Sequence, residues 1–257
     1  MKNCSVGKIG PDLFQFNEQN EYGPYVDAYM ILGTKRAVIV DALQDAEDLY
    51  QRVRQITDLP FDLLLTHGHG DHTGKSVEYF LHKGARVWIM PQDLPMFRFY
   101  RPDADPNALF LLEDGMFFDL GGVGLEVILT AGHTPGSVVF LDRKNQRLFS
   151  GDAIGSGHFW MQIPYCLPLS EFRENLFRLY QTVRDMDHLT VYPGHRYQSP
   201  VQLNLQYVQD TLELTDMILH GEDNGEEKEM DVMGQHIRYK EAQYGMMLGY
   251  CYDPANL

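Results

Sequence analysis

The chain is short of cysteine, of cationic residues and of long apolar runs, and each shortage excludes a class of protein. Its 257 residues include 3 cysteines, Cys4, Cys166 and Cys251, an odd number without close spacing. That argues against a disulfide framework and for a reducing compartment. Lys and Arg number 21 against 36 Asp and Glu, a formal net charge of −15. Phosphate backbones and anionic lipid surfaces recruit patches of Lys and Arg, so neither nucleic acid nor a membrane is an expected partner. No run approaches the roughly 18 apolar residues that span a bilayer. The opening residues 1–8 also lack the apolar centre of a secretory leader. The expectation is a cytoplasmic protein, with a homodimer left open.

What is present is enough apolar material to fold. At 44% apolar and 12% aromatic residues, the chain can bury a sizeable core and does not read as disordered. Its length suits one large domain or a domain with an appendage. Residues 1–200 read as the main domain. Residues 201–257 read as a C-terminal helix, acidic loop and short strands packed on that same domain.

Periodicity places the elements. Strands are expected at Tyr29 to Leu32 and Ala37 to Val40, then a helix from about Gln44 with Ala46, Leu49, Val53 and Ile56 at helical spacing. Asp62 to Leu65 reads as a strand, Gly74 to His82 as a helix closed by Gly84, and Arg86 to Met90 as a strand. Together they make a βαβ unit. Met96 to Asp105 reads as an aromatic loop walling a pocket. Short strands follow from Phe117 to Phe149, turning at Gly121-Gly122 and Lys144-Asn145. Ser170 is expected to cap a helix carrying Phe172, Leu176, Leu179 and Val183, and Pro200 to open another that closes at Gly221. The acidic stretch from Gly221 to Glu229 reads as a solvated loop, with a short strand pair near Ile237-Arg238-Tyr239. Strands and helices thus recur in two similar halves, which suits two packed sheets with helices on both outer faces.

The chemistry is concentrated in Thr66-His67-Gly68-His69-Gly70-Asp71-His72, directly after the apolar run from Phe61 to Leu65. Histidine nitrogens and carboxylate oxygens are the usual ligands of zinc and related divalent ions. His133, Asp152 and His195 repeat one arrangement: a single ligand type beside a glycine, in the turn after a short apolar strand. Seven ligand candidates exceed the needs of one tetrahedral zinc, and two metal ions account for them all. His82, His188, His220 and His236 stand in no such context.

The order His67-x-His69-x-Asp71-His72, then His133, Asp152 and His195, resembles the metallo-β-lactamase superfamily. The flanking words Gly132-His133-Thr134-Pro135-Gly136-Ser137 and Ser150-Gly151-Asp152-Ala153 agree, as do the segments Ala28 to Gly33 and Ala37 to Asp41. The likeness covers about residues 6 to 200. It implies an α/β fold, the four-layer αβ/βα sandwich of two mixed sheets with the metal loops converging at one edge. It also implies that His67, His69 and His133 hold one ion, that Asp71, His72 and His195 hold the other, and that Asp152 bridges them. Two divalent ions, zinc first with iron or manganese as substitutes, would share a water and make it a nucleophile at neutral pH. Asp71 and Asp152 are then the catalytic carboxylates, with Asp71 passing a proton to the leaving group.

Within that superfamily, histidine at position 69 points away from oxygen-reducing diiron relatives, which carry Glu there. Aspartate at position 152 points away from true zinc β-lactamases. The pattern resembles the hydroxyacylglutathione hydrolase and lactonase-like branch, a dinuclear hydrolase of a small ester, thioester or lactone. A phosphodiesterase remains as an alternative. So does a mononuclear iron oxygenase like the persulfide dioxygenases, held by His67, His133 and Asp152. The loop after Asp152 brings His158 to the substrate as a hydrogen-bonding group and Trp160 to the pocket wall. The C-terminal part shows no basic glutathione patch, and no tyrosine follows Asp152 closely.

Overall fold

The computed structural model describes residues 4–21, 23–232 and 234–257; Met1, Lys2 and Asn3, part of the opening segment read above for a leader, lie outside the described residues. The first half contains β1 (Ser5–Lys8), β2 (Leu13–Asn20), β3 (Gly23–Leu32), β4 (Ala37–Val40), α1 (Leu49–Ile56), β5 (Phe61–Leu64), α2 (Ser76–His82), β6 (Arg86–Ile89), α3 (Leu94–Tyr100) and β7 (Phe110–Leu111). Its strands form one seven-stranded sheet in sequence order. The chain runs antiparallel from β1 to β4 and parallel from β4 to β7.

The second half contains β8 (Phe117–Asp119), β9 (Gly124–Leu129), β10 (Val138–Asp142), β11 (Arg147–Gly151), β12 (His158–Met161), α4 (Leu169–Val183), β13 (Thr190–Pro193), α5 (Leu205–His220), β14 (Glu226–Val232), β15 (Gln235–Tyr244) and β16 (Met247–Tyr252). A five-stranded sheet takes the order β13-β11-β10-β9-β8, and a four-stranded one the order β12-β16-β15-β14.

Alternation along the strands divides the core into three layers. Ile31, Val38, Val40 and Leu64 of the first sheet meet Val127, Val138, Phe140 and Phe149 of the second. Their neighbours Met30, Ile39 and Leu63 point the other way, onto Leu49 and Val53 of α1 and Val77 and Phe80 of α2. Val139, Leu141 and Leu148 likewise face Phe172, Leu176 and Leu179 of α4 and Tyr207 and Val208 of α5. A strand buried on both faces reads as a continuous apolar run, which is why AVIV of β4 carries no polar residue. Each such side chain contributes roughly 1.5–3 kcal/mol by leaving water. The result is the expected four-layer α/β sandwich, with a third sheet added on the α4–α5 core.

Several local expectations are corrected. The helix at Gln44 starts later, at Leu49, because the buried carboxylate of Glu18 takes up the N–H groups of Gln44, Asp45 and Ala46 at 2.8–3.0 Å. Part of the supposed loop from Met96 is helix α3, with proline in its first turn. Ser170 does not cap α4, which starts at Leu169 with Pro168 before it. Helix α5 begins at Leu205 rather than Pro200, and its cap is the Asn204 side chain accepting from the Gln206 N–H at 3.0 Å. Gly221 closes it in the left-handed region as expected. The acidic stretch becomes strand from Glu226, paired along its length with β15. None of the described helices is long and apolar enough to cross a membrane, and all three cysteines are free.

Candidate metal centre

Four strand ends deliver the seven ligand candidates. His67, His69, Asp71 and His72 follow β5, His133 follows β9, Asp152 follows β11 and His195 follows β13. The halves are tied at this edge, where the Val138 N–H donates to the Thr66 carbonyl at 2.9 Å and the Asp27 N–H to the Gly194 carbonyl at 2.7 Å. Glycine is required at two of these crossings. A Cβ on Gly151, whose φ is +48°, would sit 2.2 Å from Thr66 Oγ1; one on Gly194 would sit 2.4 Å from His72 Cε1 and 2.7 Å from Asp152 Oδ1.

The side chains gather in three overlapping groups: His67, His69 and His133; His67, His72 and Asp152; Asp71, His72 and His195. Within each, the ligand atoms lie within 4.8 Å of one another. His69 Nδ1 is 3.1 Å from His133 Nε2. Asp152 Oδ2 is 3.2 Å from His195 Nε2, 3.5 Å from His72 Nε2 and 3.9 Å from His133 Nε2, so this carboxylate reaches histidines of both expected sets. His195 Nε2 is also 3.5 Å from Asp71 Oδ2.

The outer nitrogens are held from behind. His72 Nδ1 donates to Asp41 Oδ2 at 2.8 Å. Thr66 links His67 Nδ1, at 3.0 Å, to the same Asp41 carboxylate. His133 Nδ1 donates to the Trp160 carbonyl at 2.9 Å, and His195 Nδ1 to the Tyr25 carbonyl at 2.6 Å. Such partners fix the ring tautomer and orientation of a ligating histidine. Asp41 does this at φ +66°, a strained backbone setting for a residue with a Cβ.

Buried polar atoms normally find hydrogen-bond partners. Here His67 Nε2, His69 Nε2, His72 Nε2 and Asp152 Oδ1 are buried and have none. Four such atoms in a nest of imidazoles and carboxylates match the donor set of zinc or a similar divalent ion.

Titration follows the same division. Burial, with neighbouring histidines adding to it, pushes His67 well below the ordinary imidazole range and His69 down to about 3. Both are neutral and free to ligate at pH 7. Burial also works against a charged His195, but Asp152 and then Asp71 outweigh it and hold that ring up to about 9. Asp152 opposes its own burial through His195 and His72 and stays well below the usual carboxylate range.

Beneath the ligands lies Asp93, fully buried. It accepts from the Gly68 N–H, the Gly136 N–H and the Thr134 hydroxyl, each at 2.7 Å. It thereby joins the His67–His72 loop to the His133 loop. Nothing in the sequence around it signals that role, because its partners are groups of distant segments. Tyr25 is hidden for the same reason, although its hydroxyl donates to Asp71 Oδ2 at 3.3 Å.

The ligands open into a cavity of about 640 Å³. Trp160 lines it, as expected; His158 does not. The register of β12 sets His158 opposite Gly249 of β16, and its ring occupies the space a Cβ on that glycine would need, 2.5 Å from Nδ1. Tyr100 and Arg101, within the stretch expected to form a wall, do line the cavity. Met230 and Val232 reach it from β14, which continues the acidic segment expected to be a solvated loop.

A family model described as "Metallo-beta-lactamase superfamily" matches residues 22–195. Among curated relatives, the chain is 31% identical over 135 residues to hydroxyacylglutathione hydrolase GloC of Haemophilus influenzae, covering 48% of this chain and 63% of that one. It is 26% identical over 167 residues to a probable polyketide biosynthesis zinc-dependent hydrolase, BaeB, of Bacillus velezensis, covering 63% and 68%. The match thus spans somewhat under two thirds of the length of the first of these relatives. Among solved structures, a metallo-beta-lactamase family protein of Thermus thermophilus superposes with a TM-score of 0.65 at 21% identity, covering 83% of this chain and 82% of that one. The DIM-1 metallo-beta-lactamase gives 0.64 at 15% identity, covering 84% and 97%. At these identities the structural likeness concerns the fold.

Proposed function

The chain belongs to the metallo-beta-lactamase superfamily, and from that premise we propose that it is a dinuclear, zinc-dependent hydrolase of a small ester, thioester or lactone. The observation that carries the reading is the position of Asp152, within 3.9 Å of His72, His133 and His195, in a cluster where the Nε2 atoms of His67, His69 and His72 have no hydrogen-bond partner. His67, His69 and His133 would hold one ion, Asp71, His72 and His195 the other, with Asp152 shared. Related proteins are described as hydrolases, one as zinc-dependent, which supports the same class.

Bound by these residues, divalent ions supply an acidified water and a Lewis acid for a substrate oxygen. The chain supplies the rest. Asp71 keeps one carboxylate oxygen bonded to the Tyr25 hydroxyl, which aims it at the cavity. There it is placed to take a proton from the attacking water and deliver it to the leaving alkoxide or thiolate. Tyr25 stays protonated throughout, because burial and then Asp71 push its phenol above its ordinary range. Trp160, Ile163 and Tyr100 line the cavity beside the candidate ligands, a concave site suited to a small molecule.

Elemental analysis of the purified chain, with a panel of esters, thioesters, lactones and phosphodiesters assayed after zinc reconstitution, tests the proposal. Two zinc ions per chain with turnover of a carboxylic substrate support it. Turnover of phosphodiesters alone would reassign the substrate class. One iron per chain with oxygen consumption would replace it with the oxygenase reading, and no turnover of any substrate would remove it.

A further inference from the structure

The cavity wall carries both cationic and apolar groups. Residues 44 to 101 contribute Lys75 and Arg101, while Trp160, Ile163, Met230 and Val232 come from residues 160 to 232, beside the polar His195, Tyr197 and Gln198. Lys75 is neutralised by Asp45, 2.7 Å away. Arg101 is not. Its Nε and Nη2 donate to the carbonyl oxygens of Thr73 and Gly70, the latter at 3.0 Å, and among the described residues no carboxylate lies within ion-pair distance of it. In a chain with 36 acidic side chains and 21 basic ones, acidic partners are in surplus. Among the described residues, nine of the other twelve arginines have one within 4 Å. The guanidinium is half-buried, and burial lowers its proton affinity by more than the more distant Glu78 and Asp45 restore. That is a cost which an anion in the cavity would offset. Guanidinium also has a planar fork of donors suited to a carboxylate.

We propose that Arg101 is a specificity residue that binds an anionic group at one end of the substrate, while Trp160, Ile163, Met230 and Val232 receive an apolar group at the other. The substrate class is then an acyl compound with a carboxylate or similar anion on one arm and a hydrocarbon or aromatic group on the other. This rests on the hydrolase reading only for where the scissile bond lies.

Binding separates the two claims, because an anilide pair can report the cavity without turnover. The probes are the mono-anilide of glutaric acid and its neutral counterpart, pentananilide, titrated into the metal-loaded protein and followed by tryptophan fluorescence. The expected result is at least tenfold tighter binding of the acid. Arg101→Gln should erase that preference, leave the neutral anilide within about twofold, and leave metal content unchanged. Arg101→Lys, which keeps the charge without the fork, should retain part of the preference. It serves as the second variant if glutamine disturbs the carbonyls of Gly70 and Thr73. Equal affinities in the unmodified protein overturn the proposal, as does a preference for the acid that survives Arg101→Gln. Loss of affinity for both probes together with metal also overturns it, since Arg101 would then only brace the ligand loop. Failure to hydrolyse any ester leaves the binding comparison intact.

Discussion

The carbonyl oxygen of Tyr25 lies 2.6 Å from Nδ1 of His195, joining β3 to the turn after β13 across 170 positions of sequence. The same residue sends its hydroxyl to Asp71. One side chain and its own backbone thus orient two members of a single ligand group, and the two contacts can be separated by mutation.

Tyr25→Phe removes only the phenol contact. A hydrogen bond to a charged acceptor is worth roughly 1.5–3 kcal/mol, so kcat should fall by about tenfold or more while the fold and the His195 contact persist. Unchanged kcat with normal metal content would show that Asp71 needs no such brace.

Asp41→Asn weakens the support behind His72 and Thr66 together. Loss of such an outer partner typically costs about 10–100-fold in metal affinity. Chelator competition should show that weakening, with circular dichroism unchanged.

Gly194→Ala puts a methyl group into His72 and Asp152. The expected product is a folded protein that retains less than one metal ion per chain, read by elemental analysis after desalting. Full occupancy would mean that the turn after β13 yields more easily than its packing indicates.

The pH behaviour of the metal-free protein has a definite sign. His195 is raised from 6.5 to about 9, so its charged interaction with Asp152 and Asp71 stabilises the fold fully below pH 6.5. That contribution is lost as the pH climbs through about 9. Melting temperature without metal should therefore decline from pH 6.5 to 9. Metal affinity should move the other way, since the proton on His195 must leave: about tenfold per pH unit over that window from this group. Calorimetry in two buffers of different ionisation enthalpy counts the released protons; none released at pH 7.5 would contradict the assignment of His195 as a ligand.

Much of this geometry is legible in the primary structure. The βαβ unit, the turns at Gly121-Gly122 and Lys144-Asn145, and the three apolar layers follow from local periodicity, which a strand or helix must obey wherever it packs. The seven ligand candidates stand out because strand-end loops with glycine carry them. What stays hidden depends on partners far away in sequence. Gln44 to Ala46 have helical spacing, yet Glu18, 26 to 28 positions earlier, takes up their N–H groups. Asp93 and Tyr25 act through atoms of other segments. His158 and Trp160 look equivalent in β12, and only pairing with Gly249 separates them.

That pairing has a consequence for biosynthesis. A nascent chain that has emerged past His195 already carries all seven histidine and aspartate side chains of the cluster. Strand β12, which bears Trp160, gains its neighbour β16 only when Met247 to Tyr252 leave the ribosome. Translation therefore delivers the seven candidate ligands before the strand pairing that seats Trp160 in the cavity wall, and a truncated polypeptide is expected to take up metal before that wall is complete.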